Sequence, residues 1–370
     1  MSIIAFHTNQ LSIRGTEIAV YDYALYNESL LGNTSIIMTP HSSVNHNPTI
    51  IKKFSKEFKV VFYQHLDELD SLLKELSVDV FYAIKSGFYD SIQPTTVPSI
   101  IHAVFPFNIA SIHGNVYTCI SEWLSKESSF GRVPVLPHIV NVLTDSKNFR
   151  DSLNIPRSST VFGGYGGSTS FDIGFVKDVV INIAKQHNDI FFIFMNFPKF
   201  CNLSNVIFMD SSTNSLVKSR FINTCDAMLH ARLLGETFGL ACAEFEAHGK
   251  PVFTYKYSPH RAHIDILNEN SYLYGNSFGL KRMLTSYSNS NRKSIICSNY
   301  KKRFNPEAVM GIFSQLCDEC LNGTKNQVKW SRLDSVYLKF YGLLGIVRLI
   351  KHLVSSNVIR FFFKIKLLVK

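Results

Sequence analysis

Between Asp226 and Tyr255 the chain reads strand, loop, helix, strand, and that order fixes the class of fold. Asp226-Ala-Met-Leu-His230 is an apolar run of buried-strand length. Leu234-Gly235-Glu236-Thr237 is a loop. A helix is predicted from Gly239 through Leu240, Ala241, Cys242, Ala243, Glu244 and Phe245, with Gly249 as its C-terminal cap and Pro251 just beyond. Pro251-Val-Phe-Thr-Tyr255 is the next strand. This is the parallel α/β unit, in which ligands sit at the carboxyl ends of the strands. Glu236 falls on that rim, and the backbone N–H groups near Gly239 form a helix start suited to an anion. Glu244 lies in an otherwise small, apolar segment. A carboxylate buried there without a partner would cost several kcal/mol, so either the pair of glutamates is structural or something polar meets it.

The same theme runs through the rest of the chain. Strands are predicted at 3–6, 35–38, 60–63, 78–83, 99–104 and 116–120, with helices at 17–31, 66–76 and 122–128. Thr16 is the expected N-cap of the first helix and Gly32 its stop. After "VLPHIVN" a polar stretch, "TDSKNFRDSLNIPRSS", reads as a linker with a short helix. The second half restarts with Val161-Phe162 and "GGYGG", then a helix over 174–186 and the strongly apolar "IFFIFMNF", a central strand. At 370 residues the chain is long enough for two domains with real cores. The expected division is 1–150, 151–330 and a tail over 331–370: two Rossmann-like α/β domains facing across a cleft.

Composition narrows the partners. A formal charge of +10 favours acidic ones such as phosphates, nucleotides or anionic lipid. No basic helix or aromatic-basic repeat supports nucleic acid binding. Seven scattered cysteines and no signal peptide point to a reducing, cytoplasmic setting. Cys317-Asp-Glu-Cys320 is one C-x-x-C, without the further ligands a zinc site needs. "GGYGG" lacks the third glycine and the placed acid of a dinucleotide fingerprint. No Asp-x-Asp occurs, which disfavours metal-dependent sugar transfer, and no metal ligands or cofactor are expected.

"GETFGLACAEFEAHGKPVFT" resembles the paired-glutamate signature of retaining GT-B glycosyltransferases, especially glycosyltransferase family 4. Glu236, Phe238-Gly239, Glu244 and Gly249-Lys250-Pro251-Val252 keep the family's order and spacing. "PSIIH", ending at His102, is similar to the family strand that ends in a histidine at the cleft. "CISEWLS" and "VLPHIVN" resemble two further family segments. The resemblance implies a nucleoside-diphosphate sugar as donor substrate and a glycan or lipid-linked acceptor entering from the first domain. Glu244 would bind ribose hydroxyls. Glu236 and His102 would lie at the transferred sugar. Backbone amides of Phe238, Gly239 and Leu240 would face the sugar and diphosphate.

The chain also departs from that pattern. The family usually carries Gly-Arg and then a lysine early in the second domain, to neutralise the leaving diphosphate. Here "FGGYGGSTSFDIGFVKD" has no such arginine, and the lysine is displaced to Lys177. Donors from Gly167 and Ser168, or the cation of Arg232, are the candidate replacements. In the first loop one glycine, Gly15, stands beside Arg14 where the family has two. A surface role for Arg232 and an ordinary turn at Arg14-Gly15 remain the alternatives. So do an inactive sugar-nucleotide binding protein and another GT-B enzyme, such as a phosphorylase or an epimerase. His138, His230 and His263 are not expected to be catalytic, and Glu246 is expected to be solvated.

After Asp334 no acidic residue occurs, and cations alternate with Phe, Ile, Leu and Val. The apolar runs are too short to span a bilayer. A basic, apolar helix suits an anionic membrane surface, which would make the protein peripheral. The other reading is a final helix that packs back on the first domain, a role assigned to about 307–345.

Overall fold

The computed structural model describes residues 1–143, 145–287 and 298–323. They form two compact units. In chain order the first unit opens with β1 (Ile3–His7), α1 (Gly15–Ser29), β2 (Thr34–Pro40), α2 (Pro48–Glu57), β3 (Lys59–Tyr63), α3 (Glu68–Glu75), β4 (Val80–Lys85), β5 (Ser99–Ala103), β6 (Val116–Cys119) and α4 (Glu122–Ser129). The second unit has β7 (Thr160–Tyr165), α5 (Gly174–Gln186), β8 (Ile190–Met195), β9 (Val206–Met209), α6 (Ser215–Thr224), β10 (Ala227–Leu229) and β11 (Gly235–Glu236). The next helix, α7 (Leu240–Ala247), belongs to the first unit. The second unit resumes with β12 (Val252–Tyr255), β13 (His260–Arg261), α8 (Ala262–Leu267), β14 (Ser271–Tyr274) and α9 (Ser277–Ser286). Two helices, α10 (Asn299–Arg303) and α11 (Pro306–Leu321), return to the first.

Each unit carries one six-stranded sheet, and every strand pair in it is parallel. The orders are β3-β2-β1-β4-β5-β6 and β14-β12-β10-β7-β8-β9. In each sheet the order reverses beside its first strand, which puts a switch point at β1/β4 and another at β7/β10. The second needs glycine: a β carbon on Gly164 would lie 2.9 Å from the Leu229 carbonyl oxygen on the neighbouring strand.

Local chemistry sets the helix ends. The Asn47 side chain accepts from the N–H groups of Thr49 and Ile50, and Pro48 opens the helix. Asn305 and Pro306 repeat the device at α11. At α1 the N-cap is Arg14, not Thr16, whose hydroxyl donates to the Glu17 carboxylate instead. Gly32 follows with φ of +67° and returns its N–H to the Glu28 carbonyl. No short helix forms in the described residues 145–159. That segment is held to the second unit by Arg150, which bonds the Asp226 carboxylate at 2.9 Å and the Ser159 carbonyl at 3.0 Å.

Aromatic side chains fill both interiors. In the first unit α11 brings Phe313 against Phe6, Tyr23 and Tyr82, with ring centroids 5.8, 5.7 and 5.4 Å away. This is the packing expected of the final helix up to Leu321. The basic tail after Asp334 lies outside the described residues. Among the described residues no helix is long and apolar enough to cross a membrane. Cys317 and Cys320 are both buried on α11.

Glu246 corrects the sequence reading. It is 0% exposed rather than solvated. Its carboxylate accepts from the Ser298 hydroxyl, from Asn299 N–H at 2.7 Å and from Tyr300 N–H at 3.3 Å. These are donors at the start of α10 that no helical carbonyl can reach, and a negative charge there is also favoured by the positive end of the helix dipole. Glu246→Ala would strand them. Urea unfolding is expected to show a loss of about 2–3 kcal/mol, the scale of hydrogen bonds to a buried charge. A loss below about 0.5 kcal/mol would mean that α7 and α10 are held by packing alone.

Candidate functional site

The carboxyl rim of the second sheet is built by the loops after β7, β10 and β12. Asp172 joins two of them: its carboxylate accepts from Leu233 N–H at 2.7 Å, and its own N–H donates to the Ala231 carbonyl at 3.1 Å. The β10 loop then closes on β11, which pairs with β13. Gly235 makes that approach possible. Its φ is +76°, and a β carbon would fall 2.0 Å from the His260 carbonyl oxygen.

Glu236 stands at the end of this loop in a polar network. Arg232 donates from Nη1 to Glu236 Oε2 at 2.8 Å, and His230 Nε2 lies 3.3 Å from Oε1. The other His230 nitrogen meets Thr254 Oγ1 at 2.8 Å, and that oxygen meets His263 Nε2 at 3.0 Å. Tyr274 fixes the His230 backbone by donating to its carbonyl at 2.8 Å. Burial pushes the Glu236 carboxyl up, but the His230 hydrogen bond and the Arg232 charge outweigh it and hold the group at about 2. His260, close by, is lowered to about 4 by burial and then by the Arg232 charge. The rim therefore presents an ionised carboxylate locked between a cation and an imidazole.

The glycine-rich loop is less committed. Gly163 and Gly164 lie inside β7, while Gly167 and Ser168 are exposed. The Gly167 carbonyl is occupied by Ser170, through N–H at 2.8 Å and Oγ at 2.7 Å, and Asn196 holds the Gly166 carbonyl. Lys177 lies on α5 over the Phe200 ring, 5.8 Å from its centroid.

The other half of the motif belongs to the first unit. Phe238 is buried, Gly239 has φ of +92°, and Leu240 opens α7. A β carbon on Gly15 would lie 3.7 Å from Leu240 Cδ1, so the α1 loop and the start of α7 are neighbours. Arg14 is exposed beside Gly15. Glu17, buried in the first turn of α1, has its carboxyl raised by burial and is bonded by Thr16 Oγ1 at 3.0 Å. Glu244 is half-buried on α7. Burial, and then the negative charge of Asp22, push its carboxyl up to about 8.

His102 does not stand at a rim. It is 0% exposed on β5, with Nδ1 2.7 Å from the Tyr82 hydroxyl and its ring against Tyr23 and His138. Burial holds it neutral, at about 3. The side chain expected to contact the sugar presents no exposed surface, and its Nε2 has no hydrogen-bond partner among the described residues. His230 and His263, which were not expected to be catalytic, both join the Glu236 hydrogen-bond network. A histidine at a strand end was the available signal for His230; nothing local marks Thr254 or His263.

No protein-family model matches the chain, and no curated protein matches its sequence. Among solved structures the chain is similar to a glycosyltransferase from Rickettsia africae, at 13% identity over 86% of this chain and 98% of that one, with a TM-score of 0.66. It is also similar to HepE from Anabaena, solved with UDP and glucose, at 12% identity over 86% and 100%, with a TM-score of 0.64. A third is WaaG, a glycosyltransferase of lipopolysaccharide biosynthesis, at 13% identity over 86% and 99%, with a TM-score of 0.57. These neighbours are GT-B glycosyltransferases, and the two parallel six-stranded sheets with their helices match that two-domain Rossmann-like fold.

The two kinds of buried group give opposite pH dependences. His7 and His102 are each lowered from 6.5 to about 3, His7 by burial and then by the Lys85 charge. The unfolded chain binds their protons first, so stability is full above pH 6.5 and lost as pH falls toward 3, at about 1.4 kcal/mol per unit and group. Glu244 is raised instead, so its contribution is full below about 4.5 and lost as pH rises through 8. Denaturant midpoints are expected to fall from pH 7 to pH 5, and His102→Asn to flatten that fall. Glu244→Gln removes an opposing contribution over the same range and is expected to steepen that fall. Unchanged slopes would show that these groups titrate normally in the fold.

Proposed function

We propose that this chain is a glycosyltransferase that moves a sugar from a nucleoside-diphosphate donor to a glycan or lipid-linked acceptor, with retention and without a metal. The observation that carries the reading is the pair Glu236 and Glu244, eight positions apart around Phe238-Gly239, in a chain with the GT-B fold. UDP and glucose bound to HepE, at this low identity, support the donor class as an analogy.

In this reading Glu244 meets the ribose. A carboxyl raised by burial gains most when hydroxyls replace the water it has lost. Glu236 faces the transferred sugar. It is held ionised and immobile by Arg232 and His230, as a preorganised group near developing positive charge should be. Arg232 takes the place of the missing cation pair. A guanidinium carries five N–H donors, so bonding Glu236 through Nη1 leaves capacity for the diphosphate. Gly167, Ser168 and the start of α7 add neutral donors, and Arg14 beside Gly15 adds charge on the first unit. The absence of Asp-x-Asp is the basis for a metal-independent donor site. The basic, apolar tail would hold a cytoplasmic enzyme at an anionic membrane, near a lipid-linked acceptor.

A thermal-shift screen of nucleotide sugars, followed by transfer assays, tests the reading. At least one donor should stabilise the protein and be turned over. Binding without turnover would favour an inactive binding protein, and no binding across the panel would defeat the proposal. Glu244→Gln is expected to weaken the nucleoside diphosphate by about 1–3 kcal/mol. Glu236→Ala is expected to keep nucleotide binding while transfer falls about a hundredfold or more. For the tail, co-sedimentation with anionic vesicles should retain the full chain and lose one truncated after Gly345.

A further inference from the structure

The peptide between Phe238 and Gly239 is held in one orientation by a residue far along the chain. Tyr300, 0% exposed on α10, donates its hydroxyl to the Phe238 carbonyl at 2.9 Å. Its ring meets Phe238 edge-on at 5.5 Å, and Phe304 meets Phe238 at 5.2 Å. In a trans peptide the carbonyl and the following N–H point in opposite directions. Holding the Phe238 carbonyl on Tyr300 therefore turns the Gly239 N–H away from that hydroxyl.

Gly239 makes such a hold necessary. Its φ of +92° is open to glycine, which also reaches the mirror conformations at little cost. If the peptide flipped, a carbonyl would replace an N–H at the start of α7. The first helical bond there runs from Ala243 N–H to the Gly239 carbonyl, so the N–H groups ahead of it have no partner inside the helix. Exchanging one of these donors for an acceptor would repel an anion.

Tyr300 is itself anchored. Glu246 accepts from the N–H groups of Asn299 and Tyr300, and the Phe304 carbonyl accepts from Val140 N–H at 2.7 Å. The hydroxyl cannot follow a flipping peptide without breaking the start of α10.

We infer that Tyr300 is a positioning residue, which keeps the Gly239 N–H directed at the diphosphate of the donor. The inference rests on the donor reading above. Tyr300 touches no substrate and acts through the peptide alone.

Tyr300→Phe tests it, because the ring and its packing remain and only the hydroxyl is lost. UDP, GDP and ADP are titrated into both proteins by calorimetry, and the matching nucleosides by ligand-observed NMR. Nucleoside affinity should stay within about twofold, while the affinity for the diphosphate falls about tenfold or more in the variant. That split separates positioning from general loosening, which would weaken both. An unchanged diphosphate-to-nucleoside ratio overturns the inference and leaves the donor reading standing. A wild-type protein that binds none of the three diphosphates overturns both. Should the variant fail to fold, the same ratio is read in Gly239→Ala, whose β carbon disfavours the φ that the pinned peptide requires; an unchanged ratio there is equally fatal.

Discussion

A fully buried negative charge has to be met by donors, and Glu246 shows how much of a fold can follow from that need. Its oxygens are satisfied by a short helix that begins more than fifty residues later in the chain. That helix carries Tyr300 and ends at Phe304, and these two rings enclose Phe238. The first turn of α7, its approach to Gly15 and the setting of the Phe238–Gly239 peptide all stand on this contact. Apolar packing alone would tolerate small rotations of α7. A charged cap tolerates fewer, because each bond has a length and an angle to keep.

The second unit reaches order differently. Its rim depends on backbone approaches that only glycine allows, at Gly164 between β7 and β10 and at Gly235 against His260. These two positions bring the β10 loop close enough for short side chains to span it. Thr254 can bridge two imidazoles because the strands beneath are parallel and in register, with Leu229 opposite Phe253. The polar network is thus a consequence of strand geometry as much as of residue choice.

Much of this architecture was legible in the sequence. Apolar runs such as "IFFIFMNF" located the strands, and the helix over Gly174–Gln186 fell where its pattern placed it. What failed was direction and distance. The strand that carries His102 was found, but its side chain points into the core rather than to a rim. A strand covered on both faces is apolar throughout, and such a run does not say which face a polar residue takes. Glu246 looked solvated because its partners lie far along the chain. Helix α2 was missed although Asn47-Pro48 is a start signal, its body being short and rich in lysine. For Glu236 the position was readable, since turn chemistry is local. The outer members of its network were not, since Thr254 comes from β12 and His263 from α8.

The hydrogen bonds around Glu236 also have a sense of travel. An ionised carboxylate can only accept, so His230 must carry a proton on Nε2, and a ring with that one proton has no other to give. Its Nδ1 is then a lone pair, and the Thr254 hydroxyl must give its hydrogen to it. The Thr254 oxygen in turn receives from Nε2 of His263. Every donor in the row therefore faces the same way, toward the carboxylate. A row of this kind has two internally consistent polarities and no stable mixture of them. The charge state of one oxygen at the rim is thereby written into the tautomers of two buried rings, one of them two residues beyond the end of β13.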